Sequence, residues 1–228
     1  MKLIITEKPS VARDIAKVLK VNSKKEGLIE GNGWVITWAL GHLIEFVQPD
    51  EYGKEYERWE MVHLPIIPDL FKTRPIERSK TQYEIVKAQL QRSDISEVIC
   101  ATDAGREGEL IFRLVYEAAN CKAPIKRLWI SSQTDAAIRD GFNSLNDGKN
   151  YEPLYDSARS RAEADWIVGI NATRAYSIKF SRGRGVMSVG RVQTPVLKMI
   201  VDRYRSHVNF DSKPFYEIFL DLNHDNGK

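Results

Sequence analysis

The sequence predicts an α/β fold: a mostly parallel, Rossmann-like sheet in one domain, followed by a helical domain segment. Three observations carry this. Short apolar, β-branched runs alternate with helical apolar periods over residues 1–150. The runs "KLIIT" and "EVICAT" have the length and apolarity of buried strands. Beyond residue 150 the strand pattern gives way to two long helical periods.

The elements follow in order. "KLIIT" (2–6) is a strand bounded by charge. Pro9 suits the first turn of a helix, whose apolar face is Val11, Ile15, Val18 and Leu19. "LIEGNGWVITW" sets Gly31-Asn32-Gly33 between apolar runs, a hairpin signal. Residues 48–80 are rich in proline, charge and aromatics and predict a long excursion. A helix over about 81–94, the strand "EVICAT", a helix over about 107–119, the strand "IKRLWI" (125–130) and a helix from Thr134-Asp135 complete the first domain. The second, 151–208, holds "YDSARSRAEADWIVGINATRAYSIKF" and "RVQTPVLKMIVDRYRSH", linked by the glycine-rich "SRGRGVMSVG". "FYEIFLDL", near 215, predicts a strand that opens a further β domain over 209–228.

Charge divides the chain. Residues 157–205 hold ten Lys/Arg and three acids, a balance of +7 in a chain of net charge +3, so the remainder is −4. A basic segment beside an acidic one suits a polyanion partner, and equally a solvated helical face. No apolar run is long enough to span a membrane, and the N-terminus lacks a signal-peptide pattern. Cys100 and Cys121 are the only cysteines, which argues for reduced thiols in a cytoplasmic protein.

The chemistry concentrates in "EVICATDAGREGELIF". In an open α/β sheet, functional groups collect beyond the carboxyl ends of the strands. One strand delivers Glu7 and Lys8 there; another delivers Asp103, then Glu107 one helical turn later. Carboxylates from two strand ends can converge on Mg²⁺, which takes oxygen ligands and keeps several waters. Asp103 could instead cap the next helix, and Glu107 and Glu109 could be first-turn acids favoured by the helix dipole. "GREGE" lacks the ending of a phosphate loop, and "GRGVMSVG" lacks dinucleotide-loop spacing.

"IITEKPSVARDIAKVL" followed by "ATDAGREGELI" resembles the Toprim domain that opens type IA DNA topoisomerases. "WISSQTDAAIRDGF", "SARSRAEADWIVGINATRAYS" and "SVGRVQTPVL" resemble later segments of that family, in the same order, most closely in its topoisomerase III branch. The resemblance implies roles for matching residues. Glu7 is the acid near the scissile phosphate, acting as general acid or base, Lys8 stabilises the phosphate, and Arg106 is the catalytic arginine inside the acidic signature. Asp103 and Glu107, with Glu7, are the metal-binding acids, and the cofactor is Mg²⁺. Arg161, Ser188, Arg191 and Gln193 bind the DNA backbone. The implied reaction cleaves, passes and reseals single DNA strands through a 5′-phosphotyrosyl intermediate. The implied partners are single-stranded DNA and other DNA-processing proteins, with no membrane, in the nucleoid-associated cytoplasm.

Two departures stand out. The middle acid of the family's Asp-x-Asp-x-Glu signature is Gly105 here, with Glu109 the candidate replacement ligand. None of the nine tyrosines is followed by the Arg-Thr that marks the family's nucleophile, so no nucleophile is expected in these residues. Toprim nucleases, primase-like enzymes and non-catalytic single-strand binding modules share the acid cluster or the basic segment. In a binding module Trp166, Tyr176 and Tyr204 would interleave with the cations.

Overall fold

Lys2–Thr6 forms β1, the middle strand of a sheet whose register runs directly into the acidic turn. The computed structural model describes residues 1–222. After β1 come α1 (Pro9–Val18), β2 (Ser23–Lys25), β3 (Leu28–Gly31) and β4 (Trp34–Trp38). Asn32 and Gly33 both have positive φ, 50° and 82°, between Gly31 and its partner Trp34. That is the two-residue primed turn which an Asn-Gly pair favours, and it makes β3 and β4 antiparallel. The excursion holds β5 (Ile44–Phe46) paired to β6 (Thr73–Pro75), with short 3-10 turns between them.

The second half of the sheet alternates with helices: α2 (Lys80–Leu90), β7 (Glu97–Ala101), α3 (Arg106–Ala118), β8 (Ile125–Arg127), α4 (Asp135–Asn143) and β9 (Asn146–Asp147). Among the described residues the strand order is β2-β3-β4-β1-β7-β8-β9. The pairs β4·β1, β1·β7 and β7·β8 are parallel, so the parallel part is the sheet's centre and the edges are antiparallel. Side-chain alternation builds two cores. Leu3, Ile5, Val98 and Cys100 face α2 and α3, while Ile4, Ile36, Ile99 and Ala101 face α1 and α4. A sheet covered on both faces needs apolar residues at successive positions, which is why "LII" and "VICA" read as unbroken runs.

The α5 helix (Glu152–Tyr176) is not free of this unit. Tyr155 and Ala158 enter the core beside α3. Asn171 bonds the amide and carbonyl of Ile66 at 2.6 and 2.9 Å, and Trp166 Nε1 donates to the Val47 carbonyl at 3.0 Å. The excursion thus wraps onto α5, which ends in a π turn, Ser177–Ser181. Then follows α6 (Gln193–Val208), with no buried residue.

Three expectations change. β8 is shorter than 125–130: its partner β7 ends at Ala101, and Leu128 N–H to the Cys100 carbonyl at 2.9 Å is the last main-chain bond between them. α2 ends at Leu90, where Arg92 pairs with Asp94 to close a turn. "FYEIFLDL" forms no strand: residues 209–222 have no regular structure, and Phe215, Tyr216 and Ile218 are exposed. A strand needs a ladder partner, and among the described residues this segment has none. Residues 223–228 of the expected β domain lie outside the described residues. Cys100 and Cys121 are buried and free, and burial pushes the Cys100 thiol up to about 11. No described helix is long and apolar enough to cross a membrane.

Candidate metal and nucleic-acid site

Three neighbouring parallel strands, β4, β1 and β7, end on the same side of the sheet. Beyond β1 stand Glu7 and Lys8, beyond β7 Asp103, and beyond β4 His42. The strand ends are tied together by Ala39 N–H to the Thr6 carbonyl at 2.9 Å and Gly41 N–H to the Glu7 carbonyl at 3.4 Å. Lys8 Nζ donates to Asp103 Oδ2 at 3.2 Å. Asp103, with Glu7 nearby, holds the Lys8 ammonium above its ordinary range. His42 Nε2 lies 2.6 Å from Glu107 Oε1.

Asp103 does not cap α3. The N-cap is Gly105, without a side-chain cap bond, and the carboxylate points to Lys8 instead. Its main chain is held from beneath. The fully buried Arg127 donates to the carbonyls of Cys100, Thr102 and Leu128 at 3.1, 2.9 and 2.9 Å, and to that of Asp103 at 2.8 Å. Thr102 Oγ1 donates to the Gly108 carbonyl at 2.7 Å. A Cβ on Gly108 would stand 2.1 Å from the Asp103 carbonyl oxygen, so only glycine lets the helix approach the turn this closely.

Glu109 is not a replacement ligand. It is 1% exposed and lies between two arginines, Arg113 Nε at 2.9 Å and Arg127 Nε at 3.1 Å. Burial of a carboxylate demands such pairing, and it commits both Glu109 oxygens to arginine nitrogens. Nor do Glu7, Asp103 and Glu107 assemble into a three-ligand set: among the described residues no group of three or more His, Cys, Asp or Glu is arranged to hold a metal. Lys8 and His42 instead draw Asp103 and Glu107 to separate partners. Two exposed carboxylates with all-oxygen donors still fit Mg²⁺, which commonly takes one or two carboxylates plus substrate phosphate.

The basic residues meet this turn across a cleft of about 420 Å³ lined by Arg106, Glu107, Arg161 and Asp165. Asp165 pairs with Arg191 at 2.6 Å and lies 3.8 Å from Arg161, so two candidate DNA contacts from separate segments share one carboxylate. Gln193 Nε2 donates to Ser188 Oγ at 2.8 Å, and the segment carrying both is anchored by Thr173, which exchanges bonds with Val189 N–H and C=O. The structure therefore brings Arg161, Arg106 and Glu107 to one cleft, with Arg191 tied to its wall through Asp165 and Ser188 and Gln193 adjoining Arg191 in sequence. Trp166 does not join them; it packs against Tyr52 and Phe71. His42, Asp165 and Arg127 were missed from sequence. His42 follows a strand end, and Asp165 stands four residues after Arg161, so both had a signal; Arg127, one of two adjacent cations in a short strand, had none.

Residues 2–133 match the family model of the Toprim domain. The chain belongs to the Toprim domain family. Beyond the Toprim unit, residues 149–228 match a second model, described as DNA topoisomerase. The chain is 51% identical over 220 residues to DNA topoisomerase 3 of Shouchella clausii, covering 96% of this chain and 30% of that protein. It is 52% identical over 216 residues to DNA topoisomerase 3 of Bacillus subtilis, covering 95% and 29%. It thus spans about 30% of the length of these relatives. A solved structure of full-length topoisomerase I from Thermotoga maritima shares the fold of this Toprim chain. The TM-score is 0.61 at 21% identity, covering 92% of this chain and 31% of that one.

Proposed function

We propose that these residues are the part of a type IA DNA topoisomerase, of the topoisomerase III kind, that holds the acidic site and grips a single DNA strand. One observation carries the reading: Glu107, just beyond β7, shares a cleft with Arg161 and Asp165, and Asp165 in turn holds Arg191. An acid that can help hold Mg²⁺ beside a phosphate and a cation that can hold the backbone then face one cleft.

In this reading a tyrosine hydroxyl attacks phosphorus and releases its proton to solvent, the bond to the 3′ oxygen breaks, and a 5′-phosphotyrosyl ester forms. Glu7 delivers a proton to the departing 3′ oxygen and recovers it when the strand is resealed. Lys8, kept protonated by Asp103, stands against the phosphate oxygens. Arg106, exposed at the start of α3, adds a second cation from the cleft wall. Asp103 and Glu107 would hold Mg²⁺, which supplies positive charge beside the phosphate when bound. Arg161, Ser188, Arg191 and Gln193 orient the strand. The nucleophile comes from outside these residues, since no tyrosine here precedes Arg-Thr. A protein working on chromosomal DNA in this way belongs in the cytoplasm with the nucleoid.

Binding of labelled single strands across a salt series tests the reading. Arg191→Ala should weaken binding to all sequences alike and lower the log–log salt slope by ~0.7, one phosphate contact. A loss confined to one sequence would mean base readout and sink this role for Arg191. Absence of single-strand binding by the unaltered chain would sink the reading itself.

A further inference from the structure

The C-terminal end of α5 carries a second constellation that the acidic site does not use. Trp59, from the excursion, is 39% exposed and lines a cavity of about 440 Å³ with Ser177, Ile178, Ser181 and the glycines 183 and 185. Its indole is backed by the guanidinium of Arg174, 5.2 Å from the ring centre. Arg174 is itself buried and fixed by a 2.8 Å bond from Nη1 to the Tyr56 carbonyl. The cavity's other wall is the π turn Ser177–Ser181, where the chain leaves α5 through Arg182 and Gly183, both at positive φ. Ser177 Oγ accepts from Met187 N–H at 2.8 Å, which stitches the glycine-rich linker back over the turn.

We propose that this cavity is a stacking subsite for one unpaired nucleobase, with Trp59 as the platform. This rests on the single-strand reading above and adds a specific contact to it. A flat aromatic face, held rigid by a buried cation and open on a cavity, is the surface on which an unstacked base gains most, because little ordering remains for binding to cost. The surroundings complement a nucleotide rather than an apolar ligand: Arg182 and Arg184 are exposed on the linker, inside the +7 segment. The bases of a duplex are already stacked, so only a single strand can supply the occupant. Arg174 is thirteen residues beyond Arg161 on the same helix, so the subsite lies roughly 20 Å from the acidic cleft along the strand's path.

The test uses the whole chain and a single-stranded oligonucleotide in which one base is replaced by fluorescent 2-aminopurine, walked position by position. Stacking on Trp59 should quench the probe at one position and not at its neighbours. Trp59→Ala should abolish that quench and weaken binding about 10-fold, within the range for one lost base stack. Trp59→Phe, which keeps an aromatic face and controls for folding, should retain most of both. Arg191→Ala should weaken binding and leave the quench at its position. An unchanged quench or unchanged affinity in Trp59→Ala, with binding otherwise intact, overturns the subsite alone and assigns the cavity to another occupant. Failure of the unaltered chain to bind any single strand overturns the subsite and the parent reading together.

Discussion

Gly105 and Gly108 stand three positions apart under opposite constraints. At Gly105 the backbone is extended, with φ 173°, and nothing lies within 4 Å of where a Cβ would stand. Aspartate therefore fits there without strain, and Gly105→Asp should supply an oxygen ligand and tighten Mg²⁺ binding in calorimetry. No Mg²⁺ binding by either form would refute the carboxylate assignment. At Gly108 a methyl group collides with the Asp103 carbonyl, so Gly108→Ala should displace Asp103 and weaken Mg²⁺ binding while the circular dichroism stays helical. Lys8 offers a direct reading of its partner. Its pKa is raised chiefly by Asp103, so Asp103→Asn should move the Lys8 ammonium titration, followed by NMR, down toward 10.5. An unmoved midpoint would mean that the 3.2 Å contact does not persist in solution.

At the scale of elements, the junction of β7, α3 and β8 is clamped by one buried group of three charges. Glu109 on α3 pairs with Arg113 one turn on and with Arg127 on β8, and Arg113 Nη2 also reaches the Gly148 carbonyl at 2.7 Å. Removing the one negative charge leaves two buried cations without a counter-ion. Glu109→Gln should cost about 3–5 kcal/mol, read as a lower urea midpoint at unchanged slope. Changing Glu107, two positions earlier and exposed, should leave stability nearly unaltered. If the two variants melt alike, the clamp has been misjudged. Because the same arginine grips the main chain of the acidic turn, loss of the clamp should loosen Asp103 as well.

For the molecule as a whole, the distribution of burial divides the chain. The sheet and its covering helices hold two continuous cores that include the start of α5, while α6 presents Leu197, Met199, Ile200 and Tyr204 to solvent. The chain should therefore unfold cooperatively, with amide exchange fastest in residues 209–222, which lack a hydrogen-bonded ladder. With Mg²⁺ and end-labelled single strands it should form no protein-linked band on a denaturing gel, and it should relax no supercoiled DNA. A band that vanishes with one Tyr→Phe change would reveal a nucleophile outside the Arg-Thr context; free cleaved ends would favour a Toprim nuclease.

Local chemistry was legible without the structure. Apolar runs, the Asn32-Gly33 turn, Pro9 at a helix start and the Thr134 cap each act within a few residues, so the central strands β1, β7 and β8, the β3–β4 hairpin and the helices followed from sequence, whereas the short strands β2, β5, β6 and β9 did not. The delivery of Lys8 and Asp103 to one end of the sheet followed too, because strand ends in an open α/β sheet collect functional groups. What sequence could not supply was which charge meets which. Glu107 and Glu109 are two residues apart and thus about 200° apart around the helix, so one had to be inside. Only the packing of α3 against the sheet, with Arg127 beneath it, made that one Glu109. The order β4-β1-β7 likewise brought His42 to Glu107 across 65 residues of chain, and the fold of the linker brought Arg191 to Asp165. Those pairings depend on long-range contacts, which no local pattern encodes.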